Sequence, residues 1–66
     1  MYPNLIIAMK RKKVSMEDVA VLLRIHRNSV SYKINGNGSF SIEEGFLVHG
    51  KLFPETDLHY LLEKDK

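Results

Sequence analysis

The sequence contains no cysteine, no tryptophan, only two prolines and no long apolar run among its 66 residues. The absence of cysteine excludes disulfide scaffolds, thiolate metal sites and thiol catalysis. The longest apolar run near the N-terminus, from Leu5 to Met9, is too short for a membrane span or the core of a signal peptide. We therefore expect a cytoplasmic chain that neither enters a membrane nor carries an export signal.

Apolar residues make up 44% of the chain and charged residues 27%, which is the balance of a folded globular protein. A chain of this length has room for one domain, which we place at residues 1–66. It buries only about 60% of its unfolded surface, so an elaborate catalytic cleft is not expected.

The charges are divided unevenly between the two halves of the chain. Residues 1–36 contain seven Lys or Arg and two acids, whereas residues 37–66 contain three Lys and six acids. A basic half suits a polyanion such as nucleic acid. A solvated surface with counter-charges nearby explains the same counts, and charge alone favours that second interpretation.

Hydrophobic periodicity and capping signals predict five helices and no strand. Ser15 with Asp18, and Ser41 with Glu44, have the spacing of a capping box at the start of a helix. The first three predicted helices run from Pro3 to about Lys12, from Met16 to about Leu23, and from about Arg27 to Asn35. A fourth helix begins after Ser41, and its predicted apolar stripe contains Ile42, Phe46 and Leu47. A short fifth helix is capped by Thr56 or Asp57 and carries Leu58, Leu61 and Leu62.

Helices two and three are separated by only Arg24 to His26. At 100° per residue, Val30 and Ile34 form the inner edge of helix three. Its outward face is polar or amphipathic, as a helix in the DNA major groove requires, because base edges there present distinct hydrogen-bonding patterns. This outward face contains Asn28, Ser31, Tyr32 and Asn35, with Arg27 at its first turn.

The stretch from Ser15 to Gly36 resembles the helix-turn-helix of the Cro and lambda-repressor-like (Xre) transcription regulators. Ala20 matches the small residue of helix two, Ile25 the apolar turn residue, and Val30 the buried residue of the recognition helix, and the Asn35-Gly36 pair matches its end. Residues 40–46 and 53–58 are similar to the fourth and fifth helices of short phage-type members, so the resemblance covers nearly the whole chain.

The resemblance implies an all-α, five-helix lambda-repressor-like domain whose third helix enters the major groove of double-stranded DNA. It implies a sequence-specific transcription regulator, a repressor of phage or mobile-element type, located with the nucleoid and able to form a homodimer. Carried over by position, the base-reading residues are Arg27, Asn28, Ser31 and Tyr32, and the phosphate-binding residues are His26, Lys33, Asn35, Asn37 and Ser39. For His26, capping of helix three is the alternative role.

Three features depart from the family pattern. Arg24 stands where Gly with positive φ is common, so it is either strained or the turn has another shape. Met16 replaces a Gln that touches a phosphate in many members. Met9 and Ile34 replace a buried Arg–Glu pair. Because both charged residues are replaced by apolar ones, no buried charge is left unpaired.

Two further partner classes are open. A protein-interaction module such as an antirepressor or adaptor would fit the departures from the family pattern and the surplus apolar residues Ile6, Ile7 and Val21. The same apolar residues are equally compatible with a homodimer or with an ordinary protein surface. RNA binding ranks third because no aromatic stacking platform is evident. No catalytic residues, metal site, cofactor or small-molecule ligand is predicted, because the three histidines lack ligand spacing and no nucleophile has a base at hand.

Overall fold

Five α-helices make up most of residues 1–36 and 38–65, which are the residues that the computed structural model describes. No strand occurs among these residues, so the prediction of an all-α chain is confirmed. No helix in the described part is long and apolar enough to cross a membrane. The helices are α1 (Pro3–Lys12), α2 (Met16–Leu23), α3 (Arg27–Asn35), α4 (Ile42–Leu52) and α5 (Leu58–Leu61).

Short-range hydrogen bonds fix where α2, α4 and α5 begin. The Asp18 N–H donates to Ser15 Oγ (3.0 Å) and the Ser15 N–H donates to the Asp18 carboxylate (2.9 Å), so the first capping box is complete. Ser41 and Glu44 make the same reciprocal pair at 3.1 and 2.9 Å. Asp57 caps α5 by accepting from the Tyr60 N–H at 2.9 Å, which decides between the two predicted caps. These starts are set by neighbours in sequence, as the capping signals predicted.

The C-terminal ends of α1 and α2 both close through a non-glycine residue with positive φ. Lys13 (φ 59°) ends α1, and Arg24 (φ 57°) ends α2. Beyond Arg24, the Ile25 N–H donates to the Ala20 carbonyl at 3.1 Å, which is the closing hydrogen bond of a Schellman motif. The turn therefore has its ordinary left-handed shape, and Arg24 is strained by about 1 kcal/mol or somewhat more.

The core lies where α2 packs against α3 and α4, and where α5 packs against α1 and α4. Met9 and Ile34, the predicted apolar replacement of a buried ion pair, are both buried. The buried apolar side chains are Tyr2, Leu5, Met9, Val19, Ala20, Val30, Ile34, Val48, Phe53 and Leu61.

The predicted apolar stripe of α4 is wrong. Ile42, Phe46 and Leu47 are exposed, whereas Gly45 and Val48 face the core. Gly45 is buried because α5 approaches it closely: a Cβ atom built there would lie 2.9 Å from Cδ1 of Leu62. Because Gly45 and Val48 occupy the inner side of α4, Ile42, Phe46 and Leu47 lie on its solvent side.

Tyr2 connects the start of the chain to the end of α3 and the segment before α4. Its N–H donates to the Ile34 carbonyl (3.0 Å), and its hydroxyl accepts from the Phe40 N–H (2.9 Å). Its ring packs on Phe40 with centroids 5.1 Å apart. The C-terminal end of α3 is therefore held by a residue more than 30 positions away in sequence.

Candidate nucleic-acid interface

The inner side of α3 is anchored by two fully buried side chains. Val30 and Ile34 have no exposed surface, and α3 packs on α2 through this side. Ile25, in the three-residue connection between the helices, packs partly against the same core. Because the inner edge is fixed, the opposite side of α3 must face solvent.

The outward face of α3 is exposed along its length. Arg27, Asn28, Tyr32 and Asn35 are exposed, with 59% of Tyr32 accessible. The predicted exposure of this face is thus confirmed, except that Ser31 is only half-buried and lies at its edge. Ser29, which the sequence reasoning missed, is exposed.

The helical period could have found Ser29. Relative to an inner edge centred between Val30 and Ile34, Ser31 lies nearer to the core than Ser29 does. Of the two serines that flank the inner edge, Ser29 is therefore the exposed one, and it lines a shallow surface groove with Asn28 and Tyr32.

His26 caps α3. Its Nδ1 accepts from the Asn28 N–H at 3.1 Å, so the ring satisfies one of the donors left unpaired at the start of a helix. Of the two roles predicted for His26, capping is present in the structure. The exposed ring holds the first turn of α3 in place, and with it Arg27 and Asn28.

An open groove of about 580 Å³ lies between α2 and the first turn of α3. Arg24 and Arg27 bring two guanidinium groups to this groove, and Val21 contributes an aliphatic side chain that is 68% exposed. Sequence reasoning missed Arg24 and Val21 as members of this surface. The groove is lined by Glu17, Ala20, Val21, Arg24, Ile25, His26, Arg27 and Asn28.

The Tyr32 ring lies against the loop that follows α3. A Cβ atom on Gly38 would come within 2.8 Å of Cδ2 of Tyr32, and one on Gly36 within 2.8 Å of its carbonyl oxygen. The Gly36 N–H donates to that oxygen at 2.9 Å. Glycine is therefore required where the loop passes the ring. The Tyr32 ring packs against this loop on one side and is exposed to solvent on the other.

Two of the predicted phosphate contacts are engaged within the chain. The Lys33 ammonium donates to the Ser39 carbonyl (3.2 Å) and pairs with the Glu44 carboxylate (3.4 Å). The Ser39 hydroxyl accepts from the ammonium of Lys64. A phosphate would have to share Lys33 with these partners, whereas Asn35 projects an exposed amide; Asn37 lies outside the described residues.

The pKa of Glu44 is lowered from its ordinary value of 4.5. The hydrogen bond from the Ser41 N–H is the largest cause, partial burial opposes it, and the Lys33 charge adds to it. Glu44 is therefore ionised at neutral pH and offsets the charge of Lys33. At the other end of α3, two basic residues, Arg24 and Arg27, share their groove with one acid, Glu17.

Among the residues that the structure describes, no group of three His, Cys, Asp or Glu side chains could hold a metal ion. The arrangement offers hydrogen-bond donors, acceptors and positive charge along one helix, which is suited to recognition. Comparisons with protein-family models, with curated proteins and with solved structures gave no match.

Proposed function

We propose that the chain is a lambda-repressor-like, sequence-specific DNA-binding regulator that inserts α3 into the major groove of double-stranded DNA. The observation that supports this most is the exposed polar face of α3, which is held outward by buried Val30 and Ile34. As a nucleoid-associated repressor it would act by occupying its site.

The dimensions of α3 fit this role. An α-helix with its side chains is about 10 to 12 Å across, and the major groove is about 12 Å wide, so α3 can lie in the groove. Its nine residues extend about 13 Å along it. Arg27 at the first turn can bind O6 and N7 of guanine through two parallel hydrogen bonds, and Asn28 can bind N6 and N7 of adenine. Ser31 and Tyr32 reach the next bases along the groove.

The phosphate contacts divide between the two ends of α3. His26 and Arg24 lie at the N-terminal end, where Arg24 joins the set on the basis of its place in the groove with Arg27. Lys33, Asn35 and Ser39 lie at the C-terminal end, and Asn37 follows α3 in sequence. These contacts position the helix without reading sequence, and they make affinity depend on salt.

Titration of labelled duplexes at two salt concentrations tests the proposal. Duplexes selected from a random pool should bind more tightly than random duplexes. Affinity should fall by about tenfold or more between 50 and 200 mM salt if several phosphates are neutralised. Binding without a salt slope and without sequence preference would contradict it.

Arg27→Ala tests the assignment of bases, and Arg11→Ala is its matched control. Both variants lose one exposed guanidinium, but Arg11 lies near the end of α1. Arg27→Ala should relax the preference at one base pair and cost about 1 to 3 kcal/mol on the preferred duplex. Arg11→Ala should keep the preference unchanged. Equal effects of the two variants would remove Arg27 from the base-reading set.

The second candidate function is a protein-interaction module on the same scaffold. The observation that favours it is the exposure of large apolar side chains on α2 and α4, namely Val21, Ile42 and Phe46. A pull-down that yields one stoichiometric protein partner, together with no duplex binding in the titration above, would support this function over DNA binding.

A further inference from the structure

We propose that the exposed apolar stripe of α4 is a homodimer surface on which the α4 helices of two copies pack antiparallel about a two-fold axis near Phe46. We define the stripe as Ile42, Phe46 and Leu47 together with Gly50. The proposal goes beyond DNA binding and does not depend on it, because the surface lies on a different helix.

The stripe is continuous and unusually exposed for its composition. Ile42 is 76% exposed, Phe46 58% and Leu47 41%. Ile42, Phe46 and Gly50 are four residues apart, so they lie along one line of the helix with Leu47 beside them. Contiguous exposed side chains of this size mark an interaction surface more often than isolated ones do.

The apolar surface extends sideways from α4 towards α5. An open groove of about 450 Å³ lies between them, and its walls include Ile42 and Phe46 on one side and Leu58 and Leu62 on the other. A partner helix that covers the stripe would also cover part of this groove.

The two ends of the stripe are complementary to each other, which favours a second copy over an unrelated partner. The first turn of α4 carries bulky Ile42 and the acid Glu43, whereas the last turn carries Gly50 and the base Lys51. An antiparallel pair brings the first turn of each helix against the last turn of the other. Glu43 then faces Lys51 of the second copy, and a two-fold interface needs this self-complementarity.

Gly50 gives the partner room to approach. A Cβ atom at Gly50 would have no neighbour within 4 Å, so that side of the last turn is open. The bulky Ile42 of the other copy can therefore lie against the backbone there. Glu43 and Lys51 are exposed, and neither makes an ion pair within the described part of this chain.

The surface is separate from the outward face of α3. Glu44 of α4 is directed at Lys33 of α3 (3.4 Å), and the stripe begins on another side of α4. A dimer formed through α4 therefore leaves the side chains of α3 accessible.

The available area predicts a weak dimer. A stable interface buries about 800 Å² on each partner, roughly a sixth of the 4559 Å² surface of this small chain. One helix of 11 residues and the neighbouring groove supply part of that area. We therefore expect self-association in the micromolar range, which must be measured at concentrations up to about 1 mM.

Sedimentation equilibrium without DNA tests the proposal. The wild-type mass should rise with concentration from the 7.6 kDa monomer towards the dimer. Phe46→Glu should weaken association at least tenfold, whereas Val21→Glu, at an exposed apolar position on α2 (68% against 58% for Phe46), should leave it unchanged. Circular dichroism of both variants verifies folding, which is expected because both sites are exposed.

A charge exchange tests the antiparallel orientation. Glu43→Lys should weaken the dimer by repulsion from Lys51 of the other copy, and the double variant Glu43→Lys with Lys51→Glu should restore it. A monomer at about 1 mM, a dimer that survives Phe46→Glu, or a double variant that is no better than Glu43→Lys would each overturn the proposal. Because DNA is absent, failure here is distinguishable from failure of the DNA-binding proposal.

Discussion

At the residue scale, Arg24 combines backbone strain with a position beside Arg27 in the groove between α2 and α3. Glycine adopts a φ of 57° without a steric penalty, so Arg24→Gly should raise the free energy of unfolding by about 0.5 to 1 kcal/mol, after the extra entropy of glycine in the unfolded chain is subtracted. Urea denaturation measures this change.

Lys13→Gly is the matched comparison, because Lys13 has the same conformation (φ 59°) at the end of α1. Both variants should be stabilised by similar amounts. Only Arg24→Gly should also weaken duplex binding, because only Arg24 lies beside α3. A loss of stability in Arg24→Gly would mean that contacts of its side chain outweigh the strain.

Glu44 supplies a second prediction at the residue scale, because its pKa is lowered in the folded state by the Ser41 N–H and by Lys33. A carboxylate whose folded pKa is depressed contributes stability that is present above its unfolded value, near 4.5, and is lost as pH falls through the folded value. Glu44→Gln should therefore lower the free energy of unfolding at pH 7 by roughly 0.5 to 1 kcal/mol and should flatten its decline below pH 4.5.

Glu17→Gln is the control, since Glu17 is also in the first turn of a helix but makes no capping box. It measures the favourable interaction of any carboxylate with a helix N-terminus. Equal pH profiles for the two variants, measured by thermal melting from pH 3 to pH 7, would show that Ser41 and Lys33 add nothing.

At the element scale, the starts of the helices could be predicted from sequence and the orientation of α4 could not. Ser15 with Asp18 and Ser41 with Glu44 act over three residues, so the signal is entirely local. The face that α4 buries carries Gly45 and Val48 and packs against α2 and the α5 region, where Leu62 lies close to Gly45. Hydrophobic periodicity predicted that Ile42 and Phe46 face inward, because it contains no information about which elements pack against each side of the helix.

The two glycines of α4 provide a prediction that separates helix propensity from packing. Gly50 has an open side, so Gly50→Ala should stabilise the monomer by about 0.5 to 1 kcal/mol. Gly45→Ala adds a methyl group 2.9 Å from Leu62 Cδ1, and the resulting overpacking should cancel the same gain or exceed it.

Urea denaturation at a protein concentration well below the dissociation constant of the dimer checks this contrast without interference from self-association. An equal gain for both variants would mean that Leu62 moves aside freely. A loss for Gly50→Ala would mean that the exposed end of α4 is not an ordinary helix in solution.

At the scale of the whole molecule, the accessible face of α3 was predictable, whereas the internal partners of its C-terminal end were not. Val30 and Ile34 set the inner edge by spacing alone, and Asn28 and Tyr32 followed as exposed. The partners of Lys33 and Ser39 come from distant segments: Glu44 begins α4, and Lys64 lies near the C-terminus. Pairings of that kind depend on the assembled fold, which a local pattern does not encode.

Tyr2 shows how far the assembled fold depends on one polar contact between distant segments. Tyr2→Phe keeps the buried ring but removes the hydroxyl that accepts from the Phe40 N–H at 2.9 Å. The partly buried N–H is then left without its partner, which should cost about 1 to 2 kcal/mol of unfolding free energy. For a domain of this size, the thermal midpoint should fall by roughly 7 to 14 °C.

Tyr60→Phe is the matched control for Tyr2→Phe, because it removes the same atom from a ring that is 56% exposed on α5. Its thermal midpoint should stay within about 4 °C of the wild type, since surface changes are usually worth less than 0.5 kcal/mol. The Phe40 amide proton should also exchange faster in Tyr2→Phe alone, because its protection depends on the Tyr2 hydroxyl. Unchanged exchange at Phe40 would mean that water replaces the hydroxyl, and the segment before α4 would then be held by the ring packing of Tyr2 and not by its hydrogen bond.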